Sequence, residues 1–406
     1  MLKYHFRKKL EKTLKYIPNI LSDTLVNLIN PIRIKYIKKV INPYWITLFI
    51  TNYCSARCGH CFYSKELNNK VEELHLENLK KIFLSIKKPL NTLRITGGEP
   101  FLNKSLDQFI IFLDENKISK KISITSHGMI PKMTERVSYI LEKLKNSHFH
   151  IGISLDGLQD THDSFRKIKN GFNLATKHLS DFKYLSEKYK NFSFSTTTSL
   201  IRKIAANTET GSTELFELLK FLKNKVGVNT VGFDHVRSVE NDVFNVPKKI
   251  LSDFGLPPKK NDDKSNNIKH TREDDVLLNV EEIKDVNQKL KESGYLLNDY
   301  LTMRRLELEH EILNSKNRIV DCLAGYVDCV IYPSLDVAVC ESTKPFANLK
   351  SYNFDLIKLL NSEHAAHRRE LTSKCSCTHP CHLSDSMAYD TKFLKEYFSS
   401  NNYVRK

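Results

Sequence analysis

Short apolar runs rich in β-branched residues alternate with amphipathic stretches between residues 45 and 236. The apolar runs predict buried strands, and apolar residues spaced three and four positions apart predict helices. The predicted strands are 46–52, 93–96, 121–126, 149–155, 193–199 and 229–234, and the predicted helices lie near 76–87, 105–116, 133–145, 171–188 and 213–225. Six strands that alternate with helices predict an α/β fold, with a parallel sheet and right-handed crossovers.

The strand–helix pattern stops after residue 237. Pro257-Pro258 and the polar run that follows predict a linker, and a helical region near 276–315 leads to a cysteine-rich end. That end contains a predicted β-hairpin over 330–340 and a helix near 354–370. We divide the chain into an N-terminal segment (1–44), an α/β core (45–237), a linker (238–275), a helical bridge (276–318) and a small α+β domain (319–406).

The N-terminal segment is basic. Ten Lys and Arg residues against Glu11 and Asp23 give residues 1–44 a net charge of +8, half of the total of +16. Leucines recur at helical spacing, and Pro18, Pro31 and Pro43 predict breaks between short helices. A basic amphipathic segment can lie on an anionic membrane surface. The alternative is that these helices cap the core.

Composition restricts the class of protein. The 406 residues include nine cysteines, an odd number clustered at 54–61 and 322–381, which argues against a secreted disulfide framework. No apolar run reaches the roughly 18 residues that span a membrane, and no signal-peptide pattern is present. We expect a cytoplasmic protein. The lysines are spread widely and often accompany Glu on helical faces, so no nucleic-acid partner is expected.

Three cysteines follow the first predicted strand, at a spacing of C-x3-C-x2-C. Cys54, Cys58 and Cys61 have no fourth cysteine nearby. A structural zinc site takes four protein ligands, and a ferredoxin-type [4Fe–4S] cluster takes four cysteines. Three thiolates on a four-iron cluster leave one iron open to another ligand. From the spacing alone, a partial zinc site or chance clustering remain as alternatives.

A glycine-rich turn follows the second predicted strand, in the sequence Gly97-Gly98-Glu99-Pro100. Its glycines allow close backbone approach, and Glu99 offers an acceptor for an ammonium group. This turn and the cysteine spacing resemble the signature pair of the radical S-adenosylmethionine (SAM) superfamily, CxxxCxφC after the first strand and GGEP after the second. His60 occupies the φ position, which is usually aromatic.

The resemblance implies a partial (β/α)6 TIM-like barrel, with the site at the carboxyl ends of its strands. It also implies that the open iron of the cluster chelates the amino and carboxylate groups of SAM, and that the glycine-rich turn contacts the amino group.

A further stretch, from Ser154-Leu-Asp-Gly through Arg166 to Gly171-Phe172, resembles members of the superfamily that modify peptides and related substrates. The resemblance implies that Ser154 and Arg166 meet the polar atoms of SAM, since a fixed guanidinium suits a carboxylate. The alternative is that both residues only cap and pair within the fold. His127 stands where many relatives carry Asn. At the end of the sixth strand, Asp234, His235 and Arg237 are candidates for substrate contact.

The C-terminal cysteines resemble the SPASM/twitch extension, which holds auxiliary iron–sulfur clusters in this superfamily. The resemblance implies one auxiliary [4Fe–4S] cluster on Cys322, Cys329, Cys340 and Cys381. Cys375 and Cys377 are then left as spare thiols or alternative ligands, because they are too few for a second all-cysteine cluster. A structural zinc ion at the same cysteines is the alternative.

The expected activity is that of a radical SAM enzyme, which reductively cleaves SAM and abstracts hydrogen from a peptide or small metabolite. A flavodoxin- or ferredoxin-type protein is the expected electron donor, and a peripheral contact of residues 1–44 with the inner membrane face stays open. The competing hypothesis is a non-catalytic iron–sulfur electron carrier or scaffold. A carrier has no use for a SAM site, so the two motifs favour the enzyme.

Overall fold

The computed structural model describes residues 19–39, 41–69, 73–206, 213–228, 230–236, 243–244, 276–295, 300–373 and 375–400. Residues 1–18, Arg237 and most of the predicted linker lie outside the described residues.

Strands and helices alternate through the core, and all six predicted strands are present. The strands are β1 (Trp45–Thr51), β2 (Leu90–Gly97), β3 (Ser119–Ser126), β4 (His148–Ser154), β5 (Phe192–Leu200), β6 (Val231–His235), β7 (Val243–Phe244), β8 (Asp328–Ile331), β9 (Asp336–Ala338), β10 (Ala347–Asn348) and β11 (Ser376–Cys377). The helices are α1 (Asn19–Lys39), α2 (Leu76–Leu84), α3 (Leu106–Glu115), α4 (Met133–Lys143), α5 (Gln159–Arg166), α6 (Gly171–Lys188), α7 (Arg202–Ala205), α8 (Glu214–Phe221), α9 (Val280–Glu292), α10 (Tyr300–Ser315), α11 (Leu356–Leu360), α12 (Glu363–Thr372), α13 (Pro380–Met387) and α14 (Thr391–Ser400).

The helix predictions differ from the structure in several places. Helix α5 was not expected, because Phe165 is its only large apolar residue. The helix predicted over 213–225 ends at Phe221 and continues as a π-helical turn, Leu222–Val226. The helix predicted near 354–370 is two helices, because the Ser362 side chain accepts a hydrogen bond from the Ala365 amide and starts a new one.

Strands β1 to β6 pair in parallel and in chain order, which confirms the α/β fold with a partial barrel. On one face of β1, Ile46, Leu48 and Ile50 pack into the main core with the helices around them. Polar residues occupy the other face further along the sheet: His148 Nε2 lies 2.7 Å from Ser193 Oγ across β4 and β5. The inner face is therefore hydrophilic there, in contrast to the branched apolar layers that fill complete TIM barrels.

The C-terminal cysteine-rich region extends this same sheet. The predicted hairpin forms as β8 and β9, and β8 pairs in parallel with β1, with Cys329 opposite Ile46. The strand order is β10-β9-β8-β1-β2-β3-β4-β5-β6. A bidentate ion pair between Arg94 of β2 and Asp385 of α13, at 2.7 and 2.5 Å, also connects the C-terminal region to the barrel. Sheet pairing and a buried charge thus fix the C-terminal region against the barrel.

Helix α1 runs through Pro31, so the break expected there does not form. An interior proline costs a helix about 3 kcal/mol, and tertiary contacts offset that cost here. Ile37 packs with Tyr389, and Asn30 Nδ2 donates to the Tyr389 carbonyl at 2.6 Å and to Thr391 Oγ1 at 3.0 Å. Among the helices of the described residues, none is long and apolar enough to cross a membrane.

We expect Asn30→Ala to lower the free energy of unfolding by about 1–3 kcal/mol, because it leaves the buried Tyr389 carbonyl without its donor. Asn27→Ala is the matched control: Asn27 is exposed on the same helix, and its loss should change stability by less than about 0.5 kcal/mol. Chemical denaturation measures both. Equal stability of the two variants would show that α1 does not depend on this contact.

Candidate SAM and iron–sulfur site

Cys54, Cys58 and Cys61 lie on the loop after β1 and line one open cavity, which contains about 1000 Å³ of empty space including solvent at its mouth. Residues at or just after the ends of the other strands line it too: Gly97, Gly98, Ser126, His127, Ser154, Arg166, Thr197, Ser199, Asp234 and His235. Carboxyl ends of parallel strands meet at one edge. The fold therefore brings the three cysteines together with the predicted residues Gly97, Gly98, Ser154, Arg166, Asp234 and His235.

The three thiols suit a cluster with three protein ligands. Burial raises the pKa of Cys54 to about 12, and Glu99 and the other two cysteines raise it as well. Burial also raises the pKa of Cys58, although Arg166 lowers it. The positive charge of bound iron stabilises such thiolates. In the part of the chain that the structure describes, no three His, Cys, Asp or Glu side chains converge as they would on a single metal ion.

The glycine turn presses against the cysteine loop. The Gly98 amide donates to the Thr51 carbonyl at 2.8 Å, and the Glu99 amide donates to the Tyr53 carbonyl at 2.7 Å. A Cβ atom on Gly98 would lie 2.1 Å from the Tyr53 oxygen, and Gly97 has a φ of 132°. Only glycine fits a backbone approach of this kind, so the turn exposes its peptide groups beside the cysteines.

Glu99 and Pro100 lie behind this surface. The Glu99 carboxylate is fully buried and accepts hydrogen bonds from Ser126 Oγ at 2.8 Å, the His127 amide at 2.9 Å and the Phe101 amide at 3.1 Å. Pro100 is buried and begins a short 3₁₀ turn. The Glu99 side chain is therefore committed to the ends of β2 and β3, and the glycine backbone is what borders the cavity.

His127 joins three strand ends. Its Nδ1 accepts a hydrogen bond from the Met129 amide at 2.9 Å, so Nε2 carries the proton. Nε2 lies 3.1 Å from Ser55 Oγ, on the cysteine loop, and 3.3 Å from Glu99. Burial lowers the pKa of His127 more than Glu99 raises it, which favours the neutral ring. His127 both lines the cavity and holds the loop in place.

Arg166 bridges Asp156 and the cluster loop. Its Nη2 donates to Asp156 Oδ2 at 2.5 Å, and its Nη1 lies 3.8 Å from the Cys58 sulfur. Asp156 in turn accepts from the Ser199 amide at 2.9 Å. Burial raises the pKa of Asp156, but Arg166, His60, the Ser199 amide and His162 together lower it to about 2. Sequence reasoning assigned no role to Asp156 or Ser199, although their positions near strand ends offered a signal.

The cysteine loop also rests on the end of α5. The Arg57 amide donates to the Arg166 carbonyl at 3.1 Å, and the Gly59 amide donates to the Phe165 carbonyl at 3.3 Å. The His60 ring stacks on Phe165, with centroids 4.9 Å apart and planes 2° apart. Imidazole thus fills the usual aromatic position and adds a contact of 3.2 Å to Ser199 Oγ.

At the end of β6, Asp234 and His235 border the same cavity. Arg305 of α10 lies 3.1 Å from Asp234, and Glu309 of α10 lies 2.7 Å from His235. These two contacts with helix α10 therefore fix the side chains of Asp234 and His235, the candidate substrate contacts.

The six C-terminal cysteines fall into three groups. Cys322, Cys340, Cys375 and Cys377 lie close enough to influence one another electrostatically. Cys329 is 1% exposed and packs with apolar side chains of the main core. Cys381 is near Arg94 and Arg305 instead.

Of the expected set, Cys322 and Cys340 pack in one small cluster, and Cys329 packs in the main core instead. Side chains alternate along a strand, so Cys329 points away from Asp328, which faces the cysteine group through His382. Cys375 and Cys377, which the sequence left as spare thiols or alternative ligands, lie near Cys322.

Comparison with known proteins agrees with this site. Residues 48–204 match the family model described as the Radical SAM superfamily, and this span contains the three cysteines, the glycine turn and Arg166. Through this domain the chain is similar to enzymes of the radical SAM superfamily.

Individual relatives match only part of the chain. An uncharacterised protein of Methanocaldococcus jannaschii is 27% identical over 223 residues, which are 52% of this chain and 72% of the relative. The GTP 3′,8-cyclase of Helicobacter pylori is 28% identical over 186 residues, 45% of this chain and 52% of that enzyme. The structure of anSMEcpe with bound AdoMet and Cp18Cys peptide superposes with a TM-score of 0.54 at 14% identity, over 90% of this chain and all of that one, which shows a shared fold.

We expect Gly98→Ala to lower the free energy of unfolding of the cluster-free protein by about 1–3 kcal/mol, because its Cβ collides with backbone that cannot rotate away. It should also reduce the iron bound by the cysteine loop. Gly152→Ala is the control, since its Cβ would meet no atom closer than 3.6 Å. Denaturation and iron analysis compare the two variants; if they behave alike, the close approach is not a constraint.

Asp156 predicts an acid dependence. Its folded pKa is depressed, so its ion pair stabilises the fold fully above the unfolded value near 3.8 and loses that contribution as pH falls towards about 2. The stability difference between the wild type and Asp156→Asn, measured by urea denaturation of the cluster-free protein, should therefore be constant from pH 7 to pH 5 and shrink below about pH 4. A difference that stays constant to pH 2.5 would contradict this assignment.

Proposed function

We propose that the chain binds a [4Fe–4S] cluster through Cys54, Cys58 and Cys61 and uses it to cleave SAM reductively. The observation that carries this proposal is the single cavity lined by all three thiols, the glycine turn and Arg166. When bound, the cluster supplies the electron that converts SAM to methionine and a 5′-deoxyadenosyl radical, which takes hydrogen from the substrate.

The contribution of the protein is to bind, orient and exclude water. Gly97 and Gly98 present backbone groups to the amino group of SAM, because no side chain stands between them and the cavity. Arg166, fixed by Asp156, holds positive charge beside the Cys58 thiolate and towards a carboxylate in the cavity. Ser154 offers a hydroxyl at the end of β4. Hydrogen bonds that are already formed cost no reorganisation when ligands bind.

The substrate is a peptide or a small polar metabolite. The polar residues Asp234 and His235 line the substrate side of the cavity, which favours a molecule with hydrogen-bonding groups. Relatives support both classes: one is named for cyclisation of GTP, and one structure contains a peptide.

Electrons reach the site from a flavodoxin- or ferredoxin-type donor. The net charge of +16 supports an acidic partner, since opposite charges steer association. We also assign one auxiliary [4Fe–4S] cluster to the C-terminal cysteine group, which has enough thiols for one cluster and too few for two.

Cys58→Ala should abolish 5′-deoxyadenosine release by the reduced, reconstituted protein while the chain stays folded, because a partly exposed loop thiol contributes little to the core. Ser64→Ala is the control, an exposed substitution on the same loop that should retain wild-type release. Chromatography quantifies 5′-deoxyadenosine, and circular dichroism checks the fold. Wild-type release by Cys58→Ala would rule out the assigned ligand set. An intact cluster with no release by the wild type would favour an electron carrier.

A further inference from the structure

His382 of α13 is buried beside the C-terminal cysteine group. It is 4% exposed, and its Nδ1 lies 2.6 Å from Asp328 Oδ2. The sulfur of Cys340 lies close enough to interact with the ring. His382 lines a small cavity together with Cys322 and Cys377. A histidine therefore stands among thiols that suit iron.

The Asp328 contact determines which nitrogen of His382 is available. A carboxylate can only accept a hydrogen bond, so Nδ1 carries the proton and a neutral ring keeps its lone pair on Nε2. Nε2 is buried and has no nitrogen or oxygen partner in the described part of the chain. An unpaired buried nitrogen is costly, whereas a metal-binding histidine typically gives its other N–H to a carboxylate.

Cys375 is less available than the other thiols of the group. Its Sγ donates to the Thr372 carbonyl at 3.3 Å, and Arg318 Nη2 lies 3.6 Å from it. It also hydrogen-bonds with Cys377. Cys340 has fewer protein partners, the Ser342 amide and the His382 ring. Cys375 therefore has the larger number of protein contacts that a cluster would have to replace.

We propose that His382 Nε2 is the fourth ligand of the auxiliary cluster, beside the thiolates of Cys322, Cys340 and Cys377, with Asp328 as the positioning residue. This inference rests on the auxiliary cluster assigned above. Cys322, Cys377 and His382 line one cavity, and Cys340 lies against the His382 ring, so the four donors are near one another without meeting at a single point. Histidine is a known ligand of iron–sulfur clusters where two imidazoles replace two thiolates.

The test uses the full chain with Cys54, Cys58 and Cys61 all changed to Ala, so that any cluster belongs to the C-terminal site. This protein should bind about four irons per chain. Its reduced cluster should show a nitrogen hyperfine coupling by pulsed electron paramagnetic resonance, and ¹⁵N-histidine labelling should change that coupling.

Four variants of this protein separate the ligands. His382→Asn keeps a polar group beside Asp328 but should lose most of the iron, and His382→Cys should restore about four irons without the nitrogen coupling. Cys375→Ser and Cys329→Ser should each retain iron and coupling. His382→Cys is also the control for misfolding of His382→Asn, because it restores a ligand at the same position.

A cluster without histidine coupling, or loss of iron in Cys375→Ser with retention in His382→Asn, would assign the fourth position to Cys375. Absence of iron from the triple variant would also overturn the inference. Release of 5′-deoxyadenosine by the wild type tests the SAM site separately, so failure of one proposal is distinguishable from failure of the other.

Discussion

The buried pair of Asp156 and Arg166 is the interaction on which the site depends. Asp156 follows β4, Arg166 ends α5, and the pair reaches the Ser199 amide on β5 and the Cys58 sulfur on the cysteine loop. A buried ion pair recovers its desolvation cost only when its geometry is good and further hydrogen bonds satisfy it. Here the Ser199 amide satisfies Asp156, and Arg166 reaches the cysteine loop at the Cys58 sulfur, so the position of that thiol depends on the pair.

The sheet gives the second constraint, because it joins the two cysteine regions. β8 pairs with β1, the strand that leads into the cysteine loop, and Arg94 of β2 binds Asp385 of α13. A displacement of the C-terminal region would therefore strain the strands that carry the SAM site. Backbone pairing therefore fixes the separation between the cysteine loop and the C-terminal cysteines.

Much of the core was predictable because its signals are local. Alternating apolar strands and amphipathic helices predicted all six barrel strands. The turn sequence Pro333-Ser-Leu-Asp336 predicted the β8–β9 hairpin. Predictions were wrong where distant contacts override local preference. The helix through Pro31 is retained by Asn30 and Ile37 packing on residues more than 300 positions away, which no local pattern contains.

The sequence by itself determined the cysteine triplet and the glycine turn that resemble the radical SAM signature, since each of them directly follows a predicted strand. Only the tertiary structure decided which groups face the cavity. The sequence predicted that Glu99 accepts a hydrogen bond from a ligand, but in the structure its carboxylate accepts hydrogen bonds from three protein donors. Cys329 reads as a ligand, yet strand alternation places it in the apolar core. His382 lies beside the thiols because α13 packs on β8. These two segments are about 50 residues apart in the chain, so no local pattern predicts their contact.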